Sequence, residues 1–124
     1  MQVLLIFIGG GLGSISRFWM SSNVYRLIGQ NFPYGTLTVN ALGSFLVGLL
    51  AVLLLERFNG DAANLRAFLL IGFLGGFTTF STFSLETFNL VEAGDIMKAL
   101  LNCGLSLGLC IFAVLMGALL GRQL

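Results

Sequence analysis

The chain has 124 residues, of which 57% are hydrophobic and only 9% are charged. Soluble domains usually carry about 25% charged residues, so this composition excludes an ordinary soluble protein. The formal net charge is +1, which gives no basic surface for nucleic acid, and no nucleic-acid partner is expected. The two cysteines, Cys103 and Cys110, lie two helical turns or roughly 10 Å apart, too far for a disulfide.

Four charge-poor runs are long enough to cross a bilayer, which takes about 20 apolar residues. They cover approximately residues 2–20, 36–55, 67–85 and 99–121. The connections Ser21–Gly35, Glu56–Arg66 and Glu86–Lys98 are short, so neighbouring spans are expected to be antiparallel. We therefore expect an all-α, multi-pass plasma-membrane protein in which residues 1–124 form one four-helix domain. A cleaved signal peptide is not expected, because no basic residue precedes the first run.

The basic residues divide evenly between the two sides of the predicted bundle. The side of the termini has three, which are Arg57, Arg66 and Arg122. The other side has Arg26 and Lys98, and Arg17 is a third if it reaches that interface. The positive-inside rule then gives no orientation. Insertion in both orientations, and hence an antiparallel pair of chains, becomes possible.

Spans 1 and 2 each contain one residue with two interpretations. Gly9 and Gly13 in span 1 form a small-xxx-small pair that favours close helix packing, and Arg17 follows it. Arg17 is either an interface anchor or a positive charge that attracts anions to a mouth. Asn40 in span 2 either makes an interhelical hydrogen bond or offers its amide NH₂ to an anion. Pro33 is expected to form a turn that leads into span 2.

Span 3 contains an unusual polar stretch. Its hydroxyl residues follow a glycine pair and are Thr78, Thr79, Ser81, Thr82 and Ser84. Glycine pairs beside such residues can break a transmembrane helix, and the freed carbonyls must be buried or bind something. Without a nearby carboxylate, such carbonyls suit a monovalent cation.

Phenylalanine recurs every third position in this stretch, at Phe77, Phe80 and Phe83. The rings either pack in the core or present their electropositive edges to an anion. Beyond the stretch, Glu86, Glu92 and Asp95 are expected to be solvated.

Span 4 carries a polar line at helical spacing and two GxxxG faces. The polar line consists of Asn102, Ser106 and Cys110, and it either joins helices through hydrogen bonds or forms the far wall of a polar path. The glycine pairs are Gly104 with Gly108 and Gly117 with Gly121. In the second connection, Asn59-Gly60 indicates a turn and Asp61 a helix N-cap.

No enzyme is indicated, because the spans contain neither paired carboxylates nor a histidine base. A dual-topology multidrug exporter would need an ionisable carboxylate inside the membrane, and span 1 has none. A packing subunit without transport activity would explain the GxxxG faces but not the aligned polar residues.

Two motifs resemble the Fluc family of fluoride channels, the CrcB-type proteins. They are Gly-Thr-Leu-Thr-Val-Asn-Ala-Leu-Gly at 35–43 and Gly-Phe-Leu-Gly-Gly-Phe-Thr-Thr-Phe-Ser-Thr-Phe-Ser at 72–84. Length, span number and the glycine-rich first span with Arg17 also fit, so the resemblance covers the whole chain. It implies a passive fluoride channel that exports cytoplasmic fluoride, formed by an antiparallel dual-topology homodimer with a third helix that is broken.

The resemblance also implies roles for individual residues. Two pores are each built from both subunits, and their expected lining is Asn40, Phe80, Phe83, Ser81, Thr82 and Ser106. The main-chain carbonyls of Gly75 and Thr78 are expected to hold a structural Na⁺ at the dimer interface. Arg17 is a possible vestibule charge. Span 4 departs from the family, in which a hydroxyl track continues along that helix.

Overall fold

The chain folds into four long helices. The structure is a computed structural model that describes residues 1–58, 60 and 62–124. The helices are α1 (Gln2–Ile28), α2 (Tyr34–Arg57), α3 (Ala63–Glu92) and α4 (Ile96–Gln123), and each is long and apolar enough to cross a membrane. The expectation of an all-α chain with four spanning helices is confirmed.

The helices extend beyond the apolar runs. α1 continues through Arg17 to Ile28, because a charged residue limits a membrane span without disfavouring the helix itself. It ends at Gly29, whose φ of 109° is open to glycine. Pro33 is the N-cap residue of α2, in agreement with the predicted turn. The predicted connection Ser21–Gly35 is therefore largely helical.

The helices pack in pairs through glycines. α2 packs most extensively on α4, and α1 on the first half of α3. A Cβ at Gly13 would lie 2.0 Å from the carbonyl oxygen of Phe73, and one at Gly48 would lie 2.1 Å from that of Val114. Side chains at these positions would push the helices apart, which confirms that the small-residue face of α1 is a packing face.

The two GxxxG faces of α4 differ in their surroundings. Gly117 lies directly on α2, where a Cβ would come within 2.1 Å of the Phe45 carbonyl oxygen. A Cβ added at Gly104 or Gly108 would meet no atom of the described residues within 4 Å. The Gly117 face is thus used for packing within the chain, whereas the Gly104 face points away from it.

Two segments have the wide turns of a π-helix. They are Leu53–Arg57 at the end of α2 and Ala67–Leu74 in the first half of α3. Wide turns of this kind are frequent near functional sites, and the second segment lies just before the polar stretch. The turn expected at Asn59 and the N-cap expected at Asp61 lie outside the described residues.

The large apolar side chains mostly face outward. Phe7, Ile15 and Leu107 are among many that are more than half exposed, whereas the buried core between the helices includes Val39 and Leu74. In water such a surface would aggregate, but in lipid it is solvated by acyl chains. The interior, by contrast, holds buried polar groups, which is where a function is expected.

Candidate functional site

α3 is interrupted at Thr78 and Thr79, which we call the α3 break. The helix stops after Phe77, both threonines are extended (φ −85°, ψ 155° and φ −150°, ψ 122°), and the helix restarts at Phe80. The Thr79 hydroxyl caps the new helix by accepting from the Thr82 backbone N–H at 3.2 Å. The broken third helix expected from the sequence is therefore present.

At the break, two backbone N–H groups donate to side chains and not to the carbonyls that they would bind in a continuous helix. The Thr79 N–H would serve the Gly75 carbonyl, but it donates to the Asn40 side chain. The Thr82 N–H would serve the Thr78 carbonyl, but it donates to the Thr79 hydroxyl. The carbonyls of Gly75 and Thr78 thus lose their regular i+4 donors at the same break.

Asn40 on α2 pairs with both backbone groups of Thr79. Its Nδ2 donates to the Thr79 carbonyl at 2.9 Å, and its Oδ1 accepts from the Thr79 N–H at 2.8 Å. The interhelical hydrogen bond considered for Asn40 is therefore present. The amide carries two hydrogens, so one remains for another acceptor.

A groove of about 350 Å³ lies beside the break, between α2, α3 and α4. Its polar lining residues are Asn40, Ser44, Thr78, Thr79, Cys103, Ser106 and Cys110. Phe80 and Phe83 also line it, with ring centroids 5.4 Å apart and planes tilted by 49°. Four of the six side chains expected to line a pore thus meet in one groove: Asn40, Phe80, Phe83 and Ser106.

The other two expected pore residues contact Thr79, which lines the groove. Ser81 and Thr82 do not line the groove, but the Ser81 hydroxyl is 3.3 Å from the Thr79 hydroxyl, and that hydroxyl donates to Thr82 Oγ1 at 3.2 Å. Ser81 is exposed and Thr82 half-buried. Their hydroxyls form a cluster with Thr79 at the start of the second half of α3.

The three residues of the polar line on α4 do not all have the same surroundings. Ser106 and Cys110 line the groove, whereas Asn102 is buried and donates to the Thr87 hydroxyl at 2.9 Å. The Ser106 hydroxyl donates to Asn102 Oδ1 at 3.3 Å, which connects the two parts. Asn102 therefore joins helices, and Ser106 and Cys110 form part of a polar wall.

Arg17 and Glu86 lie outside the groove. Arg17 is half-buried inside α1, eleven residues before the helix ends. Glu86 is not solvated as expected, because its Oε2 accepts a hydrogen bond from the Tyr25 hydroxyl at 2.5 Å and its Oε1 is buried. The expectation was wrong because α1 continues past Arg17 and carries Tyr25 to α3.

A family model described as "CrcB-like protein, Camphor Resistance (CrcB)" matches residues 4–118. The chain belongs to the CrcB-like family. A protein of Coxiella burnetii (strain Dugway 5J108-111) named fluoride-specific ion channel FluC is 54% identical over 124 residues, which is 100% of both chains. Proteins with the same name from Hydrogenovibrio crunogenus (strain DSM 25203 / XCL-2) and Rhizobium leguminosarum bv. trifolii (strain WSM2304) are 46% and 43% identical.

Both of these alignments span 99% of this chain, and they cover 92% and 98% of the two relatives respectively. The family resemblance read from the two motifs is therefore confirmed over essentially the whole length. Together with the four apolar helices, it identifies this CrcB-like chain as a multi-pass integral membrane protein.

Four polar residues of this CrcB-like chain were not among the expected site residues. Ser44, Cys103 and Thr79 line the groove, and Thr87 binds Asn102. Helical spacing could have found the first two, since Ser44 lies one turn after Asn40 and Cys103 lies two turns before Cys110. Thr87 depends on how α3 packs against α4, for which the sequence gives no signal.

Proposed function

We propose that the chain forms a fluoride-selective channel through which cytoplasmic fluoride leaves passively, down its electrochemical gradient. The main support for the proposal is that Asn40, two phenyl rings and Ser106 line the same groove, which has no charged lining residue. Relatives that match over 92% or more of their own length are named fluoride-specific ion channels, which supports fluoride as the ion.

The groove offers the donors that a fluoride path requires. Fluoride is small and strongly hydrated, so a selective path must replace its water with close donors. Asn40 has a second amide hydrogen, Ser44 has a hydroxyl, and Ser106 can rotate its hydroxyl away from Asn102. The edges of Phe80 and Phe83 are electropositive.

The groove also lets the ion leave. None of its lining residues is charged, so no full positive charge traps a small anion there. We propose that Ser81 and Thr82 extend the set of hydroxyl donors through their contacts with Thr79. Arg17 is proposed as a positive charge that draws anions toward the mouth from outside the groove.

A second copy of the chain is proposed to complete the path. Phe80 lines the groove and yet is 78% exposed, so one side of the path is open in a single chain. The open Gly104–Gly108 face of α4 allows another helix to approach closely. The balanced charges permit both orientations in the membrane. These features favour an antiparallel, dual-topology homodimer with two paths.

The α3 break is proposed to hold a structural Na⁺ at the dimer interface through the carbonyls of Gly75 and Thr78. Both carbonyls have lost their helical donors, as described above, and neutral oxygens suit a monovalent cation. When bound, the ion would fix the break and join the two copies. The proposed ligand is the main-chain carbonyl of Thr78, and its side-chain hydroxyl donates to the Leu74 carbonyl at 2.9 Å.

Replacing Na⁺ by N-methylglucamine on both sides of the membrane is expected to abolish fluoride efflux. Thr78→Val in Na⁺ is the matched control: it removes the hydroxyl but keeps the carbonyl, so it should retain most of the efflux. Efflux is measured from liposomes with a fluoride electrode. Undiminished efflux without Na⁺ would contradict the proposed role of the ion.

Liposomes that contain the purified protein are expected to lose fluoride rapidly while they retain chloride. A fluoride electrode and a chloride electrode measure the two ions in parallel, and protein-free liposomes give the background leak. If fluoride stayed inside while the protein was verified as a folded dimer, the channel proposal would fail. The alternative of a packing subunit without transport activity would then be favoured.

A further inference from the structure

A chain of hydrogen bonds between α3 and α4 connects two residues of the groove wall. It begins at the Phe83 carbonyl, which accepts from the Thr87 hydroxyl at 2.8 Å. Asn102 Nδ2 donates to the Thr87 hydroxyl at 2.9 Å, and the Ser106 hydroxyl donates to Asn102 Oδ1 at 3.3 Å. Phe83 and Ser106 line the groove, whereas Thr87 and Asn102 do not. Two residues outside the groove thus connect two residues that line it.

The side-chain amide of Asn102 is held in one orientation. Asn102 is 2% exposed, so its amide depends on neighbouring protein groups for its hydrogen bonds. The Thr87 hydroxyl gives its single hydrogen to the Phe83 carbonyl, and it therefore meets Asn102 as an acceptor. This places the NH₂ of Asn102 against Thr87 and leaves Oδ1 directed at Ser106. Asn102 thus presents an acceptor to Ser106, and not a donor.

This acceptor decides where the hydrogen of the Ser106 hydroxyl points. A hydroxyl has one hydrogen and two lone pairs, and Ser106 gives its hydrogen to Asn102. In this state Ser106 offers the groove only lone pairs, which repel an anion. To donate to fluoride, Ser106 has to break its bond to Asn102, and the buried amide oxygen then loses a donor. The bond between the two side chains therefore opposes the binding of an anion at Ser106.

We propose that Asn102 is a positioning residue that weakens the binding of fluoride in the groove by holding the Ser106 hydroxyl. This role rests on the proposed passage of fluoride through the groove. A conducting path must bind an ion well enough to admit it and weakly enough to release it. The Asn102 oxygen serves the release, because it competes with the ion for the same hydrogen. Thr87 contributes indirectly, since it fixes the amide of Asn102.

Replacing Asn102 by leucine, which is similar in size but has no acceptor, is expected to tighten fluoride binding. The Ser106 hydroxyl can then turn to the ion without losing this partner, so the dissociation constant should fall about two- to ten-fold, the factor that one hydrogen bond contributes. Isothermal titration calorimetry of the purified full-length protein measures the constant, with NaF as titrant at constant Na⁺ and NaCl as the control titrant. Asn89→Leu is the matched variant, because Asn89 is exposed on α3 and lies outside the groove, and it should bind fluoride as the unmodified protein does.

A double variant separates a positioning role of Asn102 from a structural one. If Asn102 acts through the Ser106 hydroxyl, adding Asn102→Leu to Ser106→Ala should leave the dissociation constant of Ser106→Ala unchanged. If Asn102 only holds α3 against α4, its loss should change fluoride binding by the same factor in both backgrounds, which would overturn the proposal. If Ser106→Ala binds no fluoride, the double variant must bind none either, and binding restored by Asn102→Leu would contradict the proposal.

Thr87→Val decides the question if Asn102→Leu does not fold. Valine has the shape of threonine but accepts no hydrogen bond, so the Asn102 amide is free to turn its NH₂ to Ser106, and fluoride should again bind more tightly. An unchanged or larger dissociation constant in the variant that folds would overturn the proposal.

Fluoride efflux from liposomes that contain the unmodified protein keeps this proposal apart from the channel proposal. If fluoride leaves the liposomes and Asn102→Leu binds it no more tightly, only the role of Asn102 fails. If fluoride does not leave, the channel proposal fails, and the role of Asn102 fails with it.

Discussion

Replacing Asn40 by leucine is expected to destabilise the protein and abolish fluoride efflux. The substitution removes the partners of both the Thr79 N–H and the Thr79 carbonyl, and Thr79 is only 8% exposed. Each buried backbone group left unpaired costs about 1–3 kcal/mol. The thermal unfolding of the purified protein and fluoride efflux from liposomes measure the two effects.

Two further variants separate the structural role of Asn40 from its proposed role in the path. Ser44→Ala is the control for stability: it lies one turn away on the same groove wall and is expected to unfold close to the unmodified protein. Asn40→Asp keeps an acceptor for the Thr79 N–H but places a negative charge in the groove. It should fold better than Asn40→Leu and still fail to conduct. Efflux from either Asn40 variant at the normal rate would contradict the proposal.

The large features of the fold could be predicted because each depends on local sequence. Charge-poor runs of about 20 residues indicated the four helices, and a glycine pair beside hydroxyl residues indicated the α3 break. Helix ends were harder to predict from the same runs. Arg17 limits an apolar run but does not end a helix, so the ends are set by Gly29 and by Gly94, whose φ is 84°.

The contacts of the site residues could not be predicted because they join residues far apart in sequence. Asn40 was recognised as a polar residue that needs a partner, but its partner is the backbone of Thr79, 39 residues later. Glu86 was expected in solvent, yet its partner Tyr25 lies 61 residues earlier. The sequence shows that a polar residue in an apolar run needs a hydrogen-bond partner. Which group becomes that partner depends on how the helices pack.

Replacing Phe80 by alanine is expected to abolish fluoride efflux with little effect on the stability of the single chain. Phe80 and Phe7 are both 78% exposed, so neither contributes much to the core of the chain. They differ in position, because Phe80 borders the groove beside Phe83, whereas Phe7 lies on α1 and outside the groove. Phe7→Ala is therefore the matched control and should conduct normally.

The pair of variants decides what the exposed ring of Phe80 does. If it is only a lipid-facing side chain, Phe80→Ala and Phe7→Ala must give the same efflux rate. If its edge borders the ion, as proposed, Phe80→Ala loses that contact and exposes the groove to lipid, and a fall in efflux of ten-fold or more corresponds to about 1.4 kcal/mol or more in the barrier. The mass of the protein–detergent complex checks that the variant is still a dimer. A dimer without efflux supports a direct role for the ring in the path, whereas dissociation into single chains would assign Phe80 to assembly instead.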